Sequence, residues 1–328
     1  MILGVLLPHT KLYGGVKRFL ELGNIFVAKG HRFIVFTPDG QGPTWFDYKG
    51  EMSTFSRIGD TELDALWTTT PEMMPMVKAS KARHKIFYHV RKREKIKHLM
   101  ADKDVEVFAC SSNIYEYDLS KYGRKTFKAV GGVTVANYKP KQSYEVKGRP
   151  FVVMAYGRIV ERVKGTHYVV SACEKLYRQG YDIKLLLYDT PVSETAAQKL
   201  RDFKCKCPLE FVIGHPFNRN SELFNRADCF VSAENPHYSG WNNSVAEAMA
   251  CALPVITSKA GTLDLVEDGV NAIRSARWRF CFAKHIKELY ADEELRRRLG
   301  TAARESIKRF DWANVAENIL EYLKKQDI

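Results

Sequence analysis

Twice along this chain, short runs of β-branched and apolar residues alternate with segments of helical period, and that repetition limits the folds open to it. Residues 2–7 read as a buried strand. Gly14-Gly15 opens a helix whose apolar residues Val16, Phe19, Leu20 and Val27 fall near the helical period, and Gly30 ends it. Residues 33–36 follow as a strand closed by Pro38-Asp39-Gly40, a strong turn signal. Further strands are expected at 65–69, 86–88, 105–110 and 126–130. The stretch 137–150 is polar, rich in Lys and broken by Pro140 and Pro150, and reads as a linker. The pattern then restarts. Strands are expected at 151–155, 183–188, 209–213, 229–232 and 254–257, with helices at 166–179, 244–251 and 312–325. This alternation gives an α/β chain of two domains, each a parallel sheet covered by helices, and 328 residues suffice for two cores. Ligands in such domains sit at the carboxyl ends of the strands, near helix N-termini.

Net charge is +13, which points to an anionic partner: nucleic acid, lipid or a phosphorylated substrate. Much of the excess is local. Between Lys78 and Lys97 there are nine Lys or Arg against one acid, Glu94. That run is either a solvated helical face or a docking surface for anionic headgroups or a lipid-diphosphate acceptor. No helix-turn-helix, RNP or zinc-finger pattern supports nucleic acid. Seven scattered cysteines and an apolar start without a basic flank suggest reduced thiols and a cytoplasmic chain. No apolar run approaches the roughly 20 residues that span a bilayer. Asp102-Lys103-Asp104 spells a D-x-D metal motif but falls in an exposed turn, so no metal is expected.

The most informative stretch is Ser239-Gly240-Trp241-Asn242-Asn243-Ser244-Val245-Ala246-Glu247-Ala248-Met249-Ala250, followed by Cys251-Ala252-Leu253-Pro254-Val255. It is a polar loop with a glycine, feeding a helix and then a strand. Amides at that helix start suit a diphosphate. Glu247, expected in the first turn, suits a ribose diol. The competing reading is a capping box, because Ser244 and Glu247 have S-x-x-E spacing.

This stretch resembles the nucleotide-sugar signature of the retaining GT-B glycosyltransferases grouped as glycosyltransferase family 4. The match falls on Gly240, Trp241, Glu247, Ala248, Met249, Ala250, Pro254 and Val255. The resemblance implies that Glu247 holds the ribose and that Gly240, Trp241, Asn242, Asn243 and Ser244 line the donor. Two departures stand out. Ser239 replaces the glutamate that contacts the transferred sugar, and either Ser239 or a neighbour such as Asn242 takes over that donor contact or a different sugar is used; Ala252 replaces a glycine, read as a packing change only.

A second match is Gly157-Arg158, followed by Lys164-Gly165. The resemblance makes Arg158 and Lys164 the cations on the donor diphosphate, whose charge grows as the glycosidic bond breaks. A third is Gly14-Gly15, read either as a tight turn or as a close approach to sugar and phosphates. His215, after Gly214, would lie near the base. His89 ends a strand and is a candidate to face the sugar; the alternative is a histidine opening a basic helix. His9 is a weaker candidate of the same kind.

The expected architecture is therefore GT-B, two Rossmann-like βαβ domains facing each other across a cleft. Residues 1–140 form the acceptor-side domain and 150–310 bind the nucleotide sugar. Residues 311–328 are a helix packing back toward the first. The expected activity is retaining, metal-independent transfer from a nucleoside-diphosphate sugar to a lipid-linked or cell-surface glycan precursor. No cofactor is needed, and peripheral contact with the inner face of the cell membrane is expected. Two alternatives stay open: an epimerase or phosphorylase of the same architecture, and a catalytically idle binding or membrane-docking subunit.

Overall fold

A computed structural model describes residues 1–92, 95–190, 193–237 and 240–326. The chain forms two compact units. One comprises Met1–Thr134 with the segment from Phe310 onward; the other is Val135–Arg309.

The first unit is built on seven parallel strands: β1 (Ile2–Leu6), β2 (Arg32–Thr37), β3 (Glu51–Thr54), β4 (Ala65–Thr68), β5 (His84–His89), β6 (Glu106–Ala109) and β7 (Phe127–Lys128). Their order is β3-β2-β1-β4-β5-β6-β7. Near-continuous apolar runs such as Ile2–Leu6 suit strands covered on both faces. Edge strand β3 reads Glu-Met-Ser-Thr, carries no apolar run, and gave no signal in the sequence. Helices α1 (Gly14–Ala28), α2 (Met74–Ala79), α3 (Lys97–Ala101) and α4 (Ser112–Tyr122) connect the strands.

The C-terminal helix, Trp312–Gln326, belongs to this unit. Its anchor is Trp312, whose Nε1 donates to Glu21 of α1 and whose ring lies 5.7 Å from the Arg18 guanidinium. Arg18 also donates to the Tyr88 hydroxyl at 3.0 Å. Gly132 is required beneath Trp312, since a Cβ there would come within 2.7 Å of the indole. A buried Arg and Glu on α1 are thus each satisfied by an aromatic partner that their own helix could not supply.

The second unit repeats the design with six parallel strands: β8 (Phe151–Tyr156), β9 (Ile183–Asp189), β10 (Leu209–Ile213), β11 (Cys229–Ser232), β12 (Val255–Thr257) and β13 (Ile273–Arg274). The order is β10-β9-β8-β11-β12-β13, so the chain reverses direction across the sheet between β8 and β11. The covering helices are α5 (Thr166–Arg178), α6 (Glu194–Arg201), α7 (Asn220–Asn225), α8 (Asn243–Ala250), α9 (Arg279–Ala291) and α10 (Glu293–Ile307). Val169, Cys173 and Leu176 of α5 pack with Phe282 and Ile286 of α9 over the strands.

Residues 137–150 are not a linker. Lys141 Nζ donates to Ala227 O at 2.7 Å, Tyr144 Oη to Ala252 O at 2.7 Å, and Arg149 bonds both oxygens of buried Asp228 at 2.6 and 2.8 Å. Two of the cations that suggested a solvated connection, Lys141 and Arg149, are bound within the second unit. Nor does the basic run form one helix. α2 ends at Ala79, β5 occupies its middle, and α3 begins at Lys97.

Ala252 corrects another reading. It is the one non-glycine residue with positive φ, 55°, among the described residues. The Leu253 amide reaches back to Ala248 O and the Ala252 amide to Met249 O, closing α8 in the left-handed manner that favours glycine. The exchange for glycine is therefore a backbone cost, not a change of packing. A left-handed alanine costs about 1–2 kcal/mol, and glycine loses part of that gain to unfolded-state entropy. Ala252→Gly should stabilise the second unit by about 0.5–1 kcal/mol in a urea melt; a loss of stability would contradict this assignment.

Candidate active site

The reversal between β8 and β11 is where an open α/β sheet presents a ligand crevice. Tyr156, Lys164, Thr166, Ser232, Glu234 and Ser244 line a pocket there. Three segments build it.

The first leaves β8. Gly157 N bonds Tyr188 O at 2.7 Å, and Gly165 then starts α5. Gly165 has φ +71°, and a Cβ on it would sit 2.0 Å from Ala233 O. Only glycine brings the Lys164 loop this close to β11. Thr166 Oγ1 donates back to Tyr156 O at 3.0 Å.

The second is the signature loop. Asn242 is buried and caps α8: its Oδ1 accepts from Val245 N at 3.1 Å, while Nδ2 donates to Ser232 Oγ at 3.0 Å and Ala260 O at 3.3 Å. The capping box expected from Ser244 and Glu247 does not form, because the helix starts before Ser244 and Asn242 takes the cap. Glu247 falls in the second turn instead. Ser244 Oγ pairs with the Tyr188 hydroxyl at 3.0 Å. Burial, then the nearby Glu247 charge, pushes the Tyr188 hydroxyl well above its ordinary pKa, so it remains a neutral hydrogen-bonding group.

The third is the β10–α7 connection. Asn220 Nδ2 reaches Glu247 Oε2 at 3.3 Å, and Glu247 is 6% exposed. His215 turns into its own loop, its Nε2 donating to Arg219 O at 3.0 Å.

Both cations singled out from the sequence hold carboxylates here. Arg158 bonds Asp189 through Nε at 3.0 Å and Nη2 at 2.8 Å, and Glu161 through Nη1 at 3.2 Å. Burial works against its charge, but the Asp189 hydrogen bond and charge, with Tyr156 and Glu161, together outweigh that and raise its pKa. Lys164 Nζ lies 2.9 Å from Glu234 Oε1. Sequence reasoning missed Asp189, Glu234 and Asn220.

Other candidates lie elsewhere. Trp241 and Gly240 are buried in the signature loop, and Asn243 is the first residue of α8. Ser239 lies outside the described residues. In the first unit, Gly14 and Gly15 begin α1 without positive φ, and a Cβ on Gly15 would meet nothing within 4 Å. A tight turn therefore does not explain the glycine at 15. His89 ends β5 rather than opening a helix and is 1% exposed; its Nδ1 is 2.8 Å from Asp118 Oδ1, and its Nε2 has no partner. Burial raises the Asp118 pKa. Asp102 of the D-x-D sequence pairs with Lys78 at 2.7 Å.

The family model for glycosyl transferases group 1 matches residues 139–306, half of the chain and nearly all of the second unit. The chain belongs to that family. Similar group 1 relatives include a capsular polysaccharide biosynthesis glycosyltransferase, CapM, of Staphylococcus aureus, 29% identical over 48% of this chain and 41% of that protein. Spore coat protein SA of Bacillus subtilis (strain 168) is 35% identical over 61% of this chain and 59% of its own. The aligned part thus spans about half the length of these relatives. Among solved structures, Anabaena Alr3699/HepE in complex with UDP superposes with TM-score 0.77 at 19% identity, over 99% of this chain and all of that one. The fold is GT-B, two Rossmann-like parallel-sheet domains.

Glu234 holds Lys164 and would compete with a diphosphate placed at that ammonium. Glu234→Gln should tighten nucleoside-diphosphate binding several-fold by calorimetry. Weaker binding would mean that Glu234 positions Lys164 instead.

Proposed function

We propose that this chain is a retaining, metal-independent glycosyltransferase. It moves a sugar from a nucleoside-diphosphate sugar to an acceptor hydroxyl on a lipid-linked or cell-surface glycan precursor. The observation that carries this reading is the set of groups at the β8–β11 crevice. Lys164 and the start of α8 line one pocket, and Glu247 sits on the same helix one turn on, oriented by Asn220. An ammonium, helix amides and a carboxylate for a ribose diol are what a nucleoside diphosphate requires. HepE was solved with UDP and with UDP-glucose, and CapM is named for capsular polysaccharide biosynthesis. Both support the donor and acceptor classes proposed.

In the proposed reaction the diphosphate displaces Glu234 from Lys164 and takes a share of Arg158. Ser244 and the amides of Asn243 and Ser244, which the Asn242 cap leaves over, meet the phosphates. Asn242 keeps those amides in place, and Trp241 and Gly240 shape the loop around the donor. Gly14 and Gly15, with open space beside Gly15, are the first unit's candidates to approach the transferred sugar, and His89 is a further candidate there. His215 flanks the base. The acceptor oxygen attacks the anomeric carbon on the face the diphosphate leaves. The bond to the leaving phosphate oxygen breaks, that phosphate takes the acceptor proton, and the anomeric configuration is retained. Lys164 stabilises the charge that grows on the leaving group, which removes the need for a metal. Arg91, Lys92, Lys95 and Lys97 remain as the part of the basic run suited to an acceptor diphosphate; Lys78 and Lys81 are paired with Asp102 and Glu62. No helix among the described residues is long and apolar enough to cross a membrane, and the chain is proposed to work in the cytoplasm.

The test is a thermal-shift screen against UDP, GDP, ADP and dTDP and their sugars, with EDTA present. A ligand at about 100 times its dissociation constant stabilises by about 2.7 kcal/mol. One nucleotide family should shift the melt, and Glu247→Ala should abolish the shift. Lys164→Ala should slow turnover about tenfold or more, the loss of one charged hydrogen bond. No shift with any nucleotide would favour an idle subunit.

A further inference from the structure

Eight large hydrophobic side chains are exposed among the described residues, and two of them touch: Trp278, 51% exposed, and Phe280, 43% exposed, with ring centroids 6.0 Å apart. Cations cover them. Lys175 Nζ of α5 is 4.3 Å from the Phe280 centroid and the Arg279 guanidinium is 4.7 Å from it. The surrounding sequence is one-sided: residues 269–287 contain Arg274, Arg277, Arg279, Lys284 and Lys287 and no acid. Arg277 fixes the Trp278 loop. Its Nε donates to Ala233 O at 2.7 Å and its Nη2 to Arg162 O at 3.0 Å, and its guanidinium lies 4.9 Å from the Tyr168 ring. Ala233 lines the candidate donor pocket, so the loop is bonded to the wall of that crevice.

We infer that this face of the second unit, Trp278 and Phe280 with Lys175 and Arg279, docks on an anionic lipid surface. Half-exposed rings beside long cationic side chains match an interface where rings sit at headgroup level and the cations reach lipid phosphates. Stacking on a sugar ring would need an open aromatic face, and Phe280 has cations over its ring and no polar atom to direct a hydroxyl. The basic run of the first unit is a weaker docking surface, since Lys78 and Lys81 already pair with Asp102 and Glu62. Docking here would hold the donor crevice of the second unit beside a lipid-borne acceptor. The surface itself does not depend on which nucleotide, if any, that crevice takes.

The test is co-sedimentation of the full chain with phosphatidylcholine vesicles and with vesicles enriched in phosphatidylglycerol, at low and high salt. Binding should need the anionic lipid and weaken with salt. Lys175→Gln with Arg279→Gln should lower the partition about tenfold or more. Trp278→Ser with Phe280→Ser should lower it too, while Lys78→Gln with Lys81→Gln leaves it unchanged; circular dichroism melts confirm that each variant is folded. In the wild type, brominated acyl chains should quench tryptophan fluorescence, and Trp278→Phe should bind but lose that quenching. Three results would overturn the inference: no preference for anionic vesicles at low salt, a partition indifferent to the patch variants, or patch-dependent retention on a soluble acidic polysaccharide without vesicle binding.

Discussion

The side-chain amide of Asn242 ties the signature loop and α8 to the end of β11 and to the loop at Ala260. Its oxygen caps α8 and its nitrogen bonds both the end of β11 and the carbonyl of Ala260, while its backbone amide bonds Gly261 O. A buried amide left without these partners would cost about 1–3 kcal/mol, so the three segments keep one arrangement. That arrangement sets where α8 starts. The start in turn decides that Glu247 is not used as a cap and that Ser244 lines the crevice. Gly165 does the same from the other side, by allowing the Lys164 loop to lie against Ala233.

The cations at this site are paired rather than free, and carboxylates outnumber them. Arg158 and Lys164 contribute two cations, and Asp189, Glu161 and Glu234 contribute three carboxylates in contact with them. An unpaired, partly buried cation would be costly in the unliganded chain, and the carboxylates offset that cost. Lys164 has a single carboxylate partner, which is why it is the cation proposed to exchange that partner for a phosphate. Arg158 is held by two carboxylates and by Thr190 O, which makes it the more rigid of the pair.

Much of this was legible in the residue order. The alternation of apolar runs and helical segments located β1, β2, β8, β9 and β11 closely, and the signature around Glu247 located α8. Three features were not. Edge strand β3 has no apolar run to announce it. Residues 137–150 look like a linker because their Lys and Arg are solvated by default, and only the fold supplies Asp228 and the carbonyls they bind. Ala252 looks like a small packing change until its backbone is seen to be left-handed. In the site, Asn220 and Asp189 escaped notice because each acts through a partner distant in sequence, Glu247 and Arg158, and short-range patterns carry no record of such pairs.

The most direct measurement is hydrogen–deuterium exchange of the full chain with and without a saturating nucleoside diphosphate. Protection concentrated at 156–166, 232–235 and 240–247 would place the diphosphate at the β8–β11 crevice, as argued. Binding with protection outside the second unit, or with those segments unchanged, would contradict it.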